Sequence, residues 1–251
     1  MTVPVIALEN VSLIYGATWL GAGAVDAVSG VTLAIDAGET LGLVGESGSG
    51  KTSLGKLCLG LLRPSQGQVR FQGEAFPGRR ALRGKLAVVL QHPEWALNPR
   101  LRCGVSVGEP LAVQRRGGAL ARQERVAEML AQVGLAAALA HRYPSELSGG
   151  QRQRMAIARA LMTEPRLIVF DEAVSALDVS VQAQVLNLIR ELQSRHGFAA
   201  LFISHDIAAT RYVAHRLAVM RRGQIVEMAP SRMFYGVPEH PYSRELLALV
   251  R

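Results

Sequence analysis

With 251 residues and 49% hydrophobic side chains, the chain can bury a sizeable core, as one large domain or a domain with a subdomain. No run approaches the roughly 20 apolar residues of a spanning helix, and the uncharged stretch between Glu9 and Asp26 is broken by Gly16, Gly21 and Gly23 with no basic segment before it, so neither a membrane span nor a secretory signal is expected. The formal charge of +8 permits nucleic acid, a membrane surface or anionic ligands, but the arginines are scattered and lysine occurs only at 51, 56 and 85, so a solvated basic surface is the favoured explanation.

The first elements in chain order are strands. "VIALENVSLIY" (5–15) and "GVTLAID" (30–36) alternate apolar and polar residues, as half-buried strands do. "ETLGLVG" (39–45) reads as a buried strand running into a glycine-rich loop, and the helix starting at Lys51 is predicted to end near Arg63–Pro64, where proline stops it. Cys58 and Cys103 fit no metal or disulfide framework and read as small apolar residues. "GQVRFQG" (67–73) and "LAVVLQ" (86–91) are further strands.

From about residue 92 to 163 the pattern turns helical. "ARQERVAEMLAQVGL" sets Val126, Met129, Leu130 and Val133 on one face and stops at Gly134, and another helix begins at Ser148 and ends before Pro165. A buried strand follows, "RLIVFDE" (166–172), then the helix "SVQAQVLNLIRELQSR" (180–195) with Val181, Val185, Leu188, Ile189 and Leu192 on one face. "FAALFISHD" (198–206) is a strand with a polar end, "RLAVM" and "QIVEM" form a hairpin through residues 221–223, and "HPYSRELLALV" reads as a short helix. The expected fold is α/β: a mostly parallel sheet with ligands at the strand ends, an N-terminal antiparallel β part and an inserted helical subdomain. The predicted boundaries are one domain over 1–251, a core of 1–91 and 164–230, a helical subdomain of 92–163 and a short helical tail of 231–251.

Two stretches prepare anion sites. "GESGSGKT", from Gly45 through Glu46, Ser47, Gly48, Ser49 and Gly50 to Lys51 and Thr52, fits G-x-x-x-x-G-K-[ST] after a strand and before a helix. Its glycines let the backbone close on phosphate oxygens, Lys51 reaches the β- and γ-phosphates, Thr52 offers a hydroxyl to Mg²⁺ and Ser53 shares the same helical turn. About a hundred residues on, "LSGGQRQRMAIARAL" (147–161) sets Ser148, Gly149, Gly150 and Gln151 at another helix N-terminus, again suited to an anion. Asp171 and Glu172 end a strand side by side, the first placed to hold Mg²⁺ and the second to polarise an attacking water. His205 ends another strand, where an imidazole can bond a γ-phosphate or serve structure alone. Gln91 ends a third, where an amide can ligate Mg²⁺ or orient water. Tyr15 offers a ring for stacking on adenine, with Trp19 as a rival.

Together these motifs resemble the ATP-binding cassette (ABC) ATPases over nearly the whole chain. The correspondence takes in the Walker A loop (45–52), a Q-loop glutamine (Gln91), the signature LSGGQ (147–151), Walker B with its glutamate (167–172), a D-loop SALD (175–178) ending at Asp178, and a switch histidine (His205). The resemblance implies ATP and Mg²⁺ as cofactors and a head-to-tail pair of cassettes, in which the signature of one chain faces the partner's ATP. "LQHPEWALNPR", "DEAVSALDVSVQAQVLNLI" and "HPYSRELL" resemble more narrowly the ATPase subunits of peptide/nickel-type importers, although Ala173 stands where many members have proline and the chain ends at Arg251 where larger members continue into a cysteine-containing tail. That likeness implies uptake of an oligopeptide or a nickel or metal chelate through separate transmembrane permease subunits. It also implies a second ATPase subunit, identical or paralogous, an indirect substrate-binding protein, and a peripheral place at the cytoplasmic face of the cell membrane. Trp95 and Leu97 are expected as exposed apolar groups awaiting the permease. Nucleic acid is not expected: a soluble ABC ATPase acting on nucleic acid or the ribosome is the alternative that the basic charge suggests, but such proteins carry two cassettes or a long coiled coil, and the importer-like tail weighs against an exporter subunit.

Overall fold

The computed structural model describes residues 3–16, 24–78 and 80–248. Trp19 lies outside the described residues. In chain order the strands and helices are β1 (Ile6–Tyr15), β2 (Val25–Ile35), β3 (Thr40–Val44), α1 (Lys51–Cys58), β4 (Gln66–Phe71), β5 (Glu74–Ala75), β6 (Leu86–Leu90), α2 (Cys103–Val113), α3 (Ala119–Gln132), α4 (Gly149–Leu161), β7 (Leu167–Asp171), α5 (Val179–His196), β8 (Ala199–Ile203), α6 (Ile207–Val213), β9 (Arg216–Arg221), β10 (Gln224–Pro230), α7 (Ser231–Gly236) and α8 (Pro241–Ala248). Among the described residues no helix is long and apolar enough to cross a membrane. The chain forms two compact units, Met1–Ala81 with Ala199–Arg251, and Leu82–Phe198.

The first unit contains an antiparallel sheet of order β2-β1-β4-β5. Ile6 and Leu8 of β1 face Ile35 and Leu33 on one side and Phe71 and Val69 on the other, and all six are buried. The alternation slips by one after Leu8, and the register shifts there around Asn10, whose φ is 49°. That bulge returns Val11 and Leu13 to the buried face. In the same unit β3 lies between β8 and β9, parallel to both, and β10 pairs antiparallel with β9 at an edge. All residues of β3 and β8 are buried, as strands covered on both faces require. Gly42 sits mid-strand because a Cβ there would lie 2.3 Å from Thr210 Cγ2 on α6. The β9–β10 hairpin turns through Arg222 and Gly223, with φ of 47° and 81°, the two positive values of a type I′ turn.

Two local expectations differ from the structure here. Helix α1 ends at Cys58, well before Pro64. Gly60 takes φ 65° while its N–H donates to Leu57 O and the Leu61 N–H to Lys56 O, a Schellman closure that halts the helix without proline. The tail, expected as one short helix, forms two: α7 precedes α8, and its Phe234 is buried with Val44, Ile207, Leu217, Val219 and Tyr242 in one apolar cluster.

The second unit holds the parallel pair β6–β7, in register from Leu86 with Leu167 to Leu90 with Asp171. Four helices accompany it. On α3, Val126, Met129 and Leu130 are buried, and Gly134 (φ 69°) closes the helix as Gly60 closes α1. On α5, Val185, Leu188, Ile189 and Leu192 are buried while Val181 is only half-buried. Helix α2 escaped sequence reading because two glycines and Pro110 lie inside it, yet Cys103, Val107 and Leu111 bury one stripe. The unit is wider than the helical stretch 92–163, since it takes in β6, β7 and α5. Both cysteines are buried, and burial pushes the Cys58 thiol up to about 12, so it stays protonated as a packing group.

Candidate nucleotide-binding site

In the first unit the glycine loop leaves the end of β3. Gly45 has φ 152°, and a Cβ on it would stand 2.1 Å from the Met220 carbonyl oxygen. Gly50 has φ 107°, and its Cβ would stand 2.2 Å from the Ala27 carbonyl. The loop therefore needs glycine at both places, for its conformation and for the close backbone approach. Lys51 opens α1 with only 6% of its surface exposed. Its ammonium donates to Gly45 O (2.8 Å), Glu46 O (2.7 Å) and Ser49 Oγ (3.4 Å), inside the curve of the loop. Glu46, Ser47, Gly48 and Thr52 are exposed along the same turn. A buried cation within a glycine-rich loop, followed by a helix N-terminus, fits a polyphosphate.

Other predicted residues of this unit gather nearby. β3 and β8 are parallel with Leu43 opposite Ile203, and the Ser204 N–H donates to Leu43 O at 3.2 Å. His205 therefore leaves the same strand end as the loop and is exposed there, while Asp206 caps α6 by accepting the Ala209 N–H at 3.0 Å. The half-exposed Tyr15 bonds through its hydroxyl to Ser53 Oγ at 3.1 Å, which ties its ring to the first turn of α1. One contact was not anticipated: the Glu46 N–H donates to the hydroxyl of Tyr242 on α8, at 3.1 Å.

In the second unit, parallel pairing of Leu90 with Asp171 sends Gln91 and Glu172 out of neighbouring strands at one end. Gln91, Asp171 and Glu172 are all half-buried. Glu172 has φ 52°, a left-handed conformation uncommon for a non-glycine residue and of the sort found at functional sites. Its carbonyl accepts both the hydroxyl and the N–H of Ser175, at 2.9 and 3.1 Å, which holds the turn. The signature forms a capping box: Ser148 Oγ accepts the Gln151 N–H at 3.3 Å, and the Ser148 N–H donates to Gln151 Oε1 at 3.0 Å. Gly150 has no room for a side chain, since a Cβ would lie 2.6 Å from Val181 Cγ1. This places the start of α4 against the start of α5, where Asp178 stands exposed at the N-cap position. The box spends the Ser148 hydroxyl inside its own helix, while Ser148 itself is exposed and the helix start beside it is half-exposed, suited to an anion.

The loop after Gln91 corrects one expectation. Trp95 is 73% exposed, with its ring 5.1 Å from that of His92, but Leu97 is 1% exposed. A 3₁₀ turn over Pro93–Trp95, with the Leu97 N–H donating to Pro93 O, turns that leucine inward to pack as core.

A family model described as ABC transporter matches residues 28–175. A putative peptide import ATP-binding protein from Brucella abortus (strain 2308) is 49% identical over 230 residues, which are 88% of this chain and 68% of that protein. A probable peptide ABC transporter ATP-binding protein from Sinorhizobium fredii (strain NBRC 101917 / NGR234) is 47% identical over 89% of this chain and 65% of its own length. A glutathione import ATP-binding protein from Salmonella paratyphi A is 48% identical over 90% of this chain, but only 37% of that protein is covered. Among solved structures, a dimeric ATP-binding cassette in a post-hydrolysis state bound to ADP and Pi superposes with a TM-score of 0.78 at 27% identity, covering 90% of this chain and 99% of that one. The matched stretch carries the glycine loop around Lys51, Gln91, the capped signature helix and the Asp171–Glu172 strand end, so the chain belongs to the ABC transporter family as one of its ATPase cassettes.

Proposed function

We propose that this cassette hydrolyses ATP to drive import of a peptide-like solute through separate membrane permease subunits. The buried ammonium of Lys51 inside the glycine loop carries the nucleotide half of that reading. The relatives named for peptide and glutathione import support the transport half and favour a peptide over a nickel chelate.

In this reading Lys51 and the loop amides bind the β- and γ-phosphates, and Tyr15 stacks on the adenine from its post on Ser53. Thr52, Gln91 and Asp171 offer hydroxyl, amide and carboxylate oxygens, the donor set that Mg²⁺ prefers. The ion, when bound, neutralises charge on the phosphate oxygens. Glu172 accepts a proton from the attacking water, held in aim by the Ser175 bonds to its carbonyl. His205 donates to the γ-phosphate. Ser148 to Gln151 present a helix start to the ATP of a second cassette, identical or paralogous, and Asp178 borders it. The exposed Trp95 is the contact offered to a permease; in this reading the protein works peripherally at the membrane's cytoplasmic face, with a substrate-binding protein acting from the other side.

Glu172→Gln tests the assignment by removing the base while keeping the shape. Hydrolysis by the purified protein should fall ~10²–10⁴-fold, with binding of Mg-ATP almost unchanged. Turnover close to wild type in that variant overturns the role of Glu172.

A further inference from the structure

We infer that Tyr242, far from the glycine loop in sequence, is a positioning residue for Lys51. The inference rests on the reading of Lys51 as the phosphate ligand. The peptide group joining Gly45 to Glu46 is a rigid plane whose carbonyl belongs to Gly45 and whose N–H belongs to Glu46. Its two polar ends are held from opposite sides: the carbonyl accepts the Lys51 ammonium at 2.8 Å, and the N–H donates to the Tyr242 hydroxyl at 3.1 Å. Gly45 has no Cβ to restrain its ψ, one of the two torsions that orient that plane. The phenol supplies the restraint that the glycine lacks. It keeps the carbonyl turned to the ammonium, and so keeps the ammonium in the curve of the loop before nucleotide arrives.

Tyr242 is itself firmly set. It is 6% exposed and packs with Val44, Ile207, Leu217, Val219 and Phe234. The Arg221 guanidinium lies 4.5 Å from its ring centroid, on the strand whose Met220 carbonyl closes over Gly45. Its N–H donates to His240 Nδ1, and the Glu227 carboxylate accepts the N–H groups of Glu239 and His240 at the front of α8. The "HPYSRELL" stretch thus carries a phenol on an anchored helix to one peptide of the phosphate loop.

Tyr242→Phe deletes the hydroxyl and keeps the ring. Binding of Mg-ADP, titrated to avoid turnover, should weaken about three- to tenfold, the range of one neutral hydrogen bond. The thermal midpoint without nucleotide should stay close to wild type. In a Lys51→Ala background the same change should cost no further affinity, because Tyr242 acts through the lysine. Hydrogen exchange of the nucleotide-free protein supplies a readout independent of ligand: the Glu46 amide should exchange several-fold faster in Tyr242→Phe. Unchanged affinity in the single variant, or an equal loss in both backgrounds, overturns the inference. Where Lys51→Ala binds too weakly to titrate, the Glu46 exchange rate decides, and an unchanged rate overturns it. Wild-type affinity in Lys51→Ala overturns the phosphate-ligand reading itself, and the inference with it.

Discussion

Gly45 and Gly48 belong to one loop and have different reasons to be glycine. At Gly48 (φ 79°) an added Cβ meets nothing within 4 Å among the described residues, so alanine there meets only the left-handed backbone. At Gly45 the Cβ drives into the Met220 carbonyl, which belongs to a paired strand and has no rotamer to escape by. Gly48→Ala should destabilise the nucleotide-free protein by about 1 kcal/mol, and Gly45→Ala by roughly 1–3 kcal/mol more. Urea unfolding of the two variants measures the gap, and equal midpoints count against this account. The loop itself was legible residue by residue, because its chemistry is contiguous: glycines, lysine and threonine stand within eight positions. Leu97 was not legible. It shares a short loop with Trp95, and nothing in the local sequence tells which of two apolar neighbours the 3₁₀ turn buries.

At the scale of elements, helix ends are set by hydrogen bonds as much as by composition. Gly60 stops α1 and Gly134 stops α3 by the same closure, yet only the second was read correctly, since Pro64 offered a more conspicuous stop for the first. Helix α8 is started by a carboxylate from another element. Burial opposes the charge on Glu227, but the hydrogen bonds that it accepts, among them those from the Glu239 and His240 amides, hold its carboxyl below the usual value of 4.5. A carboxyl lowered in the folded state contributes stability above its unfolded value and loses it as pH falls through the folded one. The stability difference between wild type and Glu227→Gln should therefore be full at neutral pH and shrink as the pH drops below 4.5. Guanidinium unfolding at about pH 7 and about pH 3 checks this, and the same difference at both sinks the capping account. The ion is half-exposed, so added salt should narrow the difference as well.

For the whole molecule, two loops suited to phosphate in one chain make sense, in the proposed reading, when the second serves another copy's nucleotide. Ser148→Arg removes the cap of α4 and should crowd its half-exposed start, while Lys51→Ala should disable the glycine loop. Mixed in a Glu172→Gln background that blocks turnover, the two variants should form dimers with one doubly damaged site and one intact site. Occluded ATP should recover to one nucleotide per mixed dimer. If each chain's loops serve its own ATP, every site carries a defect and nothing recovers, even where mixed dimers are demonstrated. Where the natural partner is a paralogue, the same design runs across the two different chains.

What the sequence determined by itself is the chemistry that lies in short contiguous runs. The glycine loop, the capped signature, the Asp171–Glu172 strand end and the buried faces of α3 and α5 each follow from spacings of a few residues, over which backbone geometry alone dictates who neighbours whom. Tertiary structure decided the rest: the bulge at Asn10, the burial of Leu97, the α2 helix kept despite Pro110, and the reach of Tyr242 to the Glu46 amide. These depend on partners far off in the chain, whose contact is worth more than any local preference and is set only when the core closes around them.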